Sequence, residues 1–401
     1  MPPEYSPQRA VCVGYDAYFQ KEFLSICRAL AGQGEVVVLC SSLDSKSFIF
    51  QLLHSNDIDT ANFSVLPVRN HRIWIRDHGP TFCKSPQDSL FVADFNWNMY
   101  GAFYWLESKY HGDSLRAKQL YQGFRPDKIG RIDAEIGKHF KARSIPTDVI
   151  MEGGSIEVNG TGTLILSEEV TFNRNPTLSK PYIENELNRV LGTNEVLWLE
   201  QGLVEDPHWF QNIHENYFGF GTFGHTDEFV RFANDSTLLL AWVDEKEKDL
   251  NYFNQENYRR MSRNLEIINQ FKRKNGNKFH VIKVPIPNLI YTTAIVSTST
   301  NYFDTASTQT IDSNQFPQFG MKNLGDSIQW VAASSYLNYL VTDKIILLPD
   351  YAQVSGNEAK QETVLKIFSE LFPDRKIVFV DVMKLNFFGG GIHCVTQQIP
   401  K

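Results

Sequence analysis

Apolar and polar positions alternate along the chain in short blocks that predict strands and helices in turn. Near the N-terminus the pattern predicts a buried strand at 10–15, a helix with one apolar face at 19–30 and a second strand at 35–40. Further strands are expected at 63–68, 81–83, 90–95, 163–166, 195–199, 237–242, 280–284, 345–348 and 377–380. Further helices are expected at 106–122, 258–271, 327–339 and 364–371. Strands and helices that alternate in this way predict an α/β fold.

One stretch interrupts this alternation. Residues 96–147 are rich in aromatic and charged side chains and have the weakest periodic pattern, so we expect an insertion or a lid there. No clear repeat and no low-complexity linker divides the chain. Hydrophobic residues make up 42% of the 401 positions, which is enough for a sizeable core. The sequence therefore predicts a single domain over residues 1–401.

The charge and the cysteines exclude several classes of protein. A formal net charge of -7 without a basic run disfavours nucleic acid and suits a cationic ligand. No apolar segment is long enough to span a bilayer and no signal peptide is visible, so we expect a cytoplasmic protein. The cysteines are odd in number, scattered and in no C-x-x-C pattern, which argues against a disulfide framework and a zinc site. They are Cys12, Cys27, Cys40, Cys83 and Cys394.

Four short segments, far apart in the sequence, combine glycine with an acid, a histidine or a thiol. They span residues 74–80, 152–154, 224–227 and 389–398. Each has an ordinary explanation when taken alone: a paired loop charge, a glutamate in an exposed turn, a hydrogen-bonded pair and a buried cysteine after a glycine turn. Their candidate chemical groups are Asp77, Glu152, His225, Asp227 and Cys394.

The last segment supplies a candidate nucleophile. Cys394 follows three glycines, and a thiolate is a strong nucleophile, although a free cysteine is often only a small core residue. His393 is expected to point away from it, because neighbours on an extended strand face opposite sides. On a strand, His225 and Asp227 would share one face. That arrangement suits a general base beside a charge, half of a metal site or an ordinary hydrogen-bonded pair.

Taken together, the segments suggest a nucleophile, a base and three carboxylates. A serine-type or papain-type hydrolase needs only one acid to orient its histidine, and extra carboxylates raise the pKa of a thiol. That cost makes sense when the substrate brings its own positive charge, and a guanidinium pairs bidentately with carboxylates. The pattern therefore predicts attack on a guanidinium carbon. Metal-dependent hydrolysis fits less well, because no second close histidine ligand can be assembled.

The four segments also resemble a known family. In order along the chain they read W-x-R-D-x-G-P, E-G-G, G-H-x-D and G-G-G-x-H-C-x-T-Q-Q, the pattern of the agmatine deiminase and bacterial peptidylarginine deiminase family. Segments 3–7, 95–97 and 173–176 resemble its members too, so the likeness covers almost the whole chain. The family belongs to the guanidine-modifying, or pentein, superfamily. The resemblance implies a five-bladed α/β propeller with pseudo-fivefold symmetry and an active site in its central channel.

The resemblance also implies a role for each candidate residue. Cys394 is the expected nucleophile and His225 the general acid and base, while Asp77 and Asp227 grip the guanidinium and Glu152 supports the histidine. Ammonia would leave with a proton from His225, and water would then hydrolyse the amidino-cysteine to a ureido product. No metal or organic cofactor is implied, and the expected partner is a small cationic guanidino substrate.

The identity of the substrate is the open question. Agmatine, giving N-carbamoylputrescine and ammonia, is the leading expectation, but segments 13–19, 97–101 and 222–225 depart from the agmatine-specific pattern. A peptidylarginine deiminase, an amidinotransferase and an inactive binding propeller are the alternatives. Trp97 is expected to bind the substrate's far end in a closed channel, the alternative being that it packs under an insertion. The sequence leaves a homo-oligomer open.

Overall fold

The computed structural model describes residues 1–41, 45–69, 71–124, 126–297, 309–312 and 325–401. In chain order, strands β1 to β21 are Gln8–Gly14, Glu35–Cys40, Phe63–Pro67, Thr81–Lys84, Leu90–Asp94, Arg143–Pro146, Glu157–Val158, Thr163–Ser167, Glu195–Leu199, Gln211–His214, Tyr217–Gly219, Val230–Phe232, Thr237–Trp242, His280–Pro285, Tyr291–Ser297, Gln309–Asp312, Ser327–Val331, Leu340–Val341, Ile345–Pro349, Lys376–Val380 and Thr396–Pro400.

Helices lie between several of these strands. In chain order, α1 to α13 are Gln20–Leu30, Ser45–His54, Ile75–His78, Ala102–Lys109, Ser114–Gly123, Pro126–Ile129, Ile132–His139, Glu168–Arg174, Lys180–Leu191, Thr226–Phe229, Tyr252–Gln270, Glu358–Leu371 and Met383–Phe387. Short 3-10 helices lie at Ala17–Phe19, Gly153–Ser155 and His393–Val395. In the described ranges, no helix combines the length and the apolar character needed to cross a bilayer.

Five of the six sheets in the described residues share one pairing order. In each, one strand runs antiparallel to a second, and the second runs parallel to a third. These sheets are β4-β5-β6, β7-β8-β9, β12-β13-β14, β18-β19-β20 and β21-β1-β2, the last extended by β3. At least one helix connects the two parallel strands of each sheet, as a parallel pair requires. The sixth sheet has the order β10-β11-β17-β15-β16.

Most of the predicted elements are present. Every strand expected from the sequence is found within two residues of its predicted ends, and the α/β class is confirmed. The middle strands β8 and β19 are buried at every residue, which explains why their continuous apolar runs could be recognised. These buried middle strands form the framework that carries the connecting segments.

The prediction of a helix at 327–339 is wrong. Residues Ser327–Val331 form strand β17, which pairs parallel with β11 and antiparallel with β15. A short apolar run fits a buried strand as well as a helix, and here the pairing with two neighbouring strands decides the conformation.

The weakly patterned segment is a connection within one sheet. Helices α4 to α7 lie between β5 and β6, so residues 96–147 contain the crossover of the β4-β5-β6 sheet, apart from residue 125, which lies outside the described residues. Ile132 and Ile136 of α7 are buried in the same core cluster as Phe82 and Val92. The role of this segment as a lid stays a prediction.

Candidate active site

Short helices bring the four sequence segments to one place. Helix α3 contacts both the 3-10 helix of Gly153–Ser155 and that of His393–Val395, and α10 contacts the first of these. Each candidate group lies in one of these turns or directly beside it. All five side chains belong to buried residues, with exposed fractions between 0% and 4%; they are Asp77, Glu152, His225, Asp227 and Cys394. The structure therefore brings together the residues that the sequence singled out.

The imidazole of His225 lies between two carboxylates. Its Nε2 is 3.3 Å from Glu152 Oε2, and its Nδ1 faces Asp77 Oδ1 at 3.6 Å. Burial lowers the pKa of His225, but the charges of Asp77, Glu152 and Asp227 outweigh burial and raise that pKa to about 9. At neutral pH this imidazole is therefore a cation with a proton to donate.

The carboxylate of Asp77 titrates near neutrality. Burial raises the pKa of Asp77 to about 7, and repulsion from Asp227 and Glu152 adds to burial while His225 opposes it. Asp77 Oδ2 accepts a hydrogen bond from the Tyr100 hydroxyl at 2.8 Å. Its Oδ1 accepts one from the backbone N–H of Gly154 at 3.3 Å.

Glu152 stays ionised because a buried arginine faces it. Burial raises the pKa of Glu152, but Arg174 and His225 outweigh burial and lower it below its usual value. Arg174 Nε donates to Glu152 Oε1 at 3.0 Å, and both side chains are fully buried. The exposed-turn explanation for Glu152 is therefore wrong.

The thiol of Cys394 lies beside carboxylates. Its Sγ is 3.8 Å from Asp227 Oδ2 and 3.2 Å from the amide Nδ2 of Asn338. Burial raises the pKa of the thiol well above its usual value, and Asp227, Asp77 and Glu228 raise it further. This direction agrees with the expected opposition between thiol ionisation and nearby carboxylates. A cation bound next to Cys394 would relieve that opposition.

Two glycines allow the site to close around these groups. A Cβ on Gly154 would lie 2.6 Å from His225 Nδ1 and 2.9 Å from both Asp227 Oδ2 and Asp77 Oδ1. A Cβ on Gly390 would lie 2.6 Å from the Trp74 ring and 3.0 Å from Cys394 Sγ. Any side chain at either position would collide with the reactive groups, which explains the glycines of both motifs.

Two local expectations are corrected. His225 and Asp227 meet the site from the start of helix α10 and not from a strand. His393 lies in a 3-10 helix, also not in a strand, and its Nδ1 reaches Asp227 Oδ2 at 2.7 Å. Arg76 does not pair with its neighbour Asp77 but bonds Glu4 at 2.8 Å, so the paired-loop-charge explanation is wrong as well.

Sequence reasoning missed several polar side chains at the site. Asn338 bonds both the thiol and Glu228 Oε1, the latter at 2.8 Å. Tyr100 reaches Asp77 from a strained turn, since Met99 and Tyr100 have φ values of 56° and 55°. Left-handed backbone at such residues costs about 1–3 kcal/mol each and is often found at functional sites. Glu228 was the most recognisable of these from the sequence, because it directly follows Asp227.

Among the described residues, one group has the donor atoms of a metal site. Asp227, Glu228 and Cys394 each offer an atom, and these atoms lie within 4.8 Å of one another. Burial raises the pKa of Glu228 well above its usual value, with Asp227 adding to it. Hard cations prefer oxygen ligands and soft ones prefer thiolates, so a mixed set of two carboxylates and one thiol is typical of neither.

A cavity of about 500 Å³ opens beside these residues. Asp77 lines it, and so does Gly389 of the segment that holds Cys394. Aromatic rings form much of its lining, among them Trp74, Trp97, Tyr100, Phe124, Trp209 and Phe388. Trp97 lies against Tyr100 edge to face, with the ring centroids 5.3 Å apart. The arrangement combines an anionic end with aromatic walls, which suits an elongated cation.

A buried thiol, an imidazolium and carboxylates beside such a cavity define an enzyme that acts on a cationic substrate. Comparison with known proteins makes the class specific. Residues 1–400 match the model of the Porphyromonas-type peptidyl-arginine deiminase family. The chain belongs to this family, which confirms the resemblance read from the four motifs and with it a deiminase that hydrolyses C–N bonds of amidines.

Individual proteins with a similar sequence or structure are described as agmatine deiminases. The agmatine deiminase of Pseudomonas aeruginosa (strain LESB58) is 28% identical over 383 residues, covering 95% of this chain and 87% of that relative. The agmatine deiminase of Pseudomonas putida (strain F1) is 28% identical over 413 residues, covering 100% and 95%. The solved structure of the Enterococcus faecalis agmatine deiminase has a TM-score of 0.73 at 23% identity, covering 100% of this chain and 95% of that one. The last comparison shows a shared fold.

Proposed function

We propose that this protein is a cysteine-dependent agmatine deiminase that forms N-carbamoylputrescine and ammonia. The observation that carries the proposal is the convergence of Asp77, Glu152 and Asp227 on His225 and Cys394 in one buried site. Three carboxylates beside a nucleophile suit a guanidinium better than a neutral carbonyl substrate. Relatives named agmatine deiminase that align along nearly the whole chain favour agmatine as the guanidine.

In the first half of the reaction, Cys394 attacks the guanidinium carbon. The bound cation offsets the carboxylates around the thiol, so Cys394 releases its proton to solvent when the substrate is present and attacks as the thiolate, since His225 is already protonated. Asp77 and Asp227 hold the guanidinium nitrogens. The C–N bond breaks as His225 gives its proton to the leaving nitrogen, and ammonia departs from an amidino-cysteine.

In the second half, the same histidine acts as a base. His225, now neutral and oriented by Glu152 at 3.3 Å, takes a proton from water as that water attacks the amidino carbon. The hydroxyl of the adduct gives its proton to the released ammonia or to solvent as the S–C bond breaks, and the neutral ureido product leaves a free thiolate on Cys394. No group outside the protein, the substrate and water is needed to balance this sequence.

The proposed architecture is a single-domain, five-bladed propeller with pseudo-fivefold symmetry. Its support is the pairing order that five of the six sheets in the described residues repeat, each with a helical crossover. Helix α3 and the 3-10 helices that carry the site join neighbouring sheets of this set. Such an arrangement would place the site in a central channel, with residues 96–147 covering the aromatic cavity.

The substrate is tested by assaying purified protein with agmatine, free arginine and a blocked arginine peptide. Ammonia and ureido product are measured for each, because amidino transfer to an amine would release no ammonia. We expect kcat/KM for agmatine to be well above that for the peptide, since the cavity is lined by bulky rings. Comparable values for the two substrates would reject this proposal and favour a peptidylarginine deiminase.

The Trp97→Ala variant tests the aromatic wall. We expect it to raise KM for agmatine more than it lowers kcat, because a ring against the substrate's tail binds ground state and transition state alike. Trp198→Ala is the matched control, since that ring is similarly buried, stacks on Phe172 and does not line the cavity. An unchanged KM in Trp97→Ala would mean that the ring only packs beneath the segment.

The pH profile of kcat/KM tests the two titrating groups. Asp77, with a pKa raised to about 7, must be ionised to hold the substrate, so activity should fall as pH drops through that value. His225, with a pKa raised to about 9, must be protonated to release ammonia, so activity should fall as pH rises through it. We therefore expect a bell-shaped profile between these values, and a profile that stays level across both would contradict the assignment.

A further inference from the structure

A carboxylate near the N-terminus bonds the histidine next to the thiol. Both oxygens of Glu4 lie near His393 Nε2, at 2.8 and 2.9 Å. Glu4 also accepts hydrogen bonds from Arg76 at 2.8 Å, from Gln398 at 3.0 Å and from Arg231. A carboxylate that is 11% exposed and has this many donors is firmly held in one position.

The N-terminal segment is itself fixed in place. The Tyr5 hydroxyl donates to the carbonyl of Asn159 at 2.6 Å, and the Gln8 side chain donates to the carbonyl of Glu4 at 2.7 Å. Pro3 packs so closely on Gly160 that a Cβ there would lie 2.6 Å from its ring. Glu4 therefore enters the active-site region on an ordered segment, although it is 73 residues from Asp77 and 390 from Cys394 in sequence.

A continuous chain of contacts runs from Glu4 to the thiol. His393 contacts Glu4 through Nε2 and Asp227 Oδ2 through Nδ1 at 2.7 Å, and the same Oδ2 lies 3.8 Å from Cys394 Sγ. His393 does not itself contact the thiol in any hydrogen bond found among the described residues. Its effect on the reaction must therefore pass through Asp227.

The orientation of the imidazole depends on both ends of this chain. A ring nitrogen that faces a carboxylate oxygen at hydrogen-bond distance needs a proton between the two atoms. Burial, Arg231 and Arg76 together lower the pKa of His393 below its usual value, and Glu4 and Asp227 oppose that shift only in part. Among the described residues, Glu4 is the only hydrogen-bond partner of His393 Nε2, so its removal leaves that nitrogen without a partner and allows the ring to turn away from Asp227.

On the basis of the proposed function, we propose that Glu4 is a positioning residue that acts through His393. It fixes the imidazole, which in turn holds the Asp227 carboxylate beside Cys394 and the guanidinium. A misplacement of about 1 Å at a reacting group can cost roughly a hundredfold in rate. This role explains why an acid near the start of the chain is joined to a cysteine near its end.

The experiment compares Glu4→Ala with Glu4→Gln. Both variants lose the charge that faces Arg76 and Arg231, but only the glutamine can still hydrogen-bond His393 Nε2. We expect Glu4→Ala to lower kcat for agmatine by about tenfold or more with KM within roughly threefold. Glu4→Gln should recover most of that loss.

Glu157→Ala and Glu157→Gln form the matched control. Glu157 is a buried carboxylate that bonds Arg231 at 3.0 Å, in the same ion network, but it does not contact His393. These variants report the loss of stability that comes from removing one of the two carboxylates that pair with Arg231, measured as a change in Tm. We expect them to lower Tm without the loss of kcat seen in Glu4→Ala.

A second measurement does not depend on the substrate. The rate of Cys394 alkylation by iodoacetamide is followed against pH, with the labelled peptide identified by mass spectrometry. When His393 no longer donates to Asp227, the negative charge of that carboxylate opposes ionisation of the thiol more strongly. We therefore expect the pH at which the alkylation rate reaches half of its maximum, the alkylation midpoint, to rise by about half a pH unit or more in Glu4→Ala. Asp227, Asp77 and Glu228 are the carboxylates that raise the pKa of the thiol most, and loss of a further negative charge cannot raise that pKa. Loss of the Glu4 charge alone would therefore leave the midpoint in place or lower it.

The outcomes separate the two proposals. If the wild-type protein released no ammonia from agmatine, the proposed substrate would be ruled out. The alkylation midpoints would still decide the role of Glu4. An unshifted midpoint in Glu4→Ala, or equal losses of kcat in both Glu4 variants and both Glu157 variants, would overturn the positioning role.

Discussion

Cys394→Ala is expected to abolish ammonia release from agmatine, with a loss in kcat of about four orders of magnitude or more. The reason is that the thiol is the proposed atom that forms the covalent bond, and no other described cysteine lies beside the carboxylate cluster. The fold should survive, because Cys394 is small and its side chain is replaced by a methyl group. Circular dichroism and thermal unfolding check the fold, and a coupled ammonia assay checks the rate.

Cys12→Ala is the matched control for this result. Cys12 is fully buried in strand β1, where burial raises the pKa of its thiol to about 12, so it is a core residue with an inert thiol. We expect Cys12→Ala to lower Tm and to leave kcat close to that of the wild type. Appreciable turnover by Cys394→Ala would reject covalent catalysis by this residue.

Asp227→Asn is expected to have the second-largest effect. Asp227 is 1% exposed, bonds His393 and approaches the thiol, so its charge is available to a guanidinium in the site. Loss of one charge from a buried pair costs about 3–5 kcal/mol, which corresponds to a fall in kcat/KM of roughly two or more orders of magnitude. Asp77→Asn should give a loss of the same order, because that carboxylate lines the cavity.

Asp133→Asn controls for the change of a buried carboxyl to an amide. Asp133 is 3% exposed and lies in α7, and burial raises its pKa to about 8, so it is largely neutral at pH 7. We expect this variant to keep the wild-type kcat/KM. Normal activity in either Asp77→Asn or Asp227→Asn would show that the residue is a structural acid.

The strands were predictable because their signal is local. Runs such as β13 and β19 are apolar at nearly every position and end at polar or glycine-containing segments, so each could be recognised without knowing its partners. Strand β17 was mistaken for a helix because its apolar run continues into Ala332 and Ala333, and only pairing with β11 and β15 selects the extended form. Local pattern cannot supply that information.

The site was predictable in its residues and less so in its geometry. The motifs around Glu152 and Cys394 could be identified because their glycines and reactive groups are adjacent in sequence. Short helices were taken for strands, since four residues are too few to show a helical period. Asn338 and Glu4 could not be found from local pattern, because only the folded chain brings them to the thiol and to His393.

The most direct test of the proposed chemistry is to trap the intermediate. Wild-type protein mixed with agmatine is quenched in acid within a single turnover, digested and mapped by mass spectrometry. We predict that the peptide holding Cys394 gains the mass of agmatine less one ammonia, and that prior alkylation of Cys394 removes both this gain and product formation. A gain on a different peptide, or a full rate of product formation by protein whose Cys394 is blocked, would contradict the account.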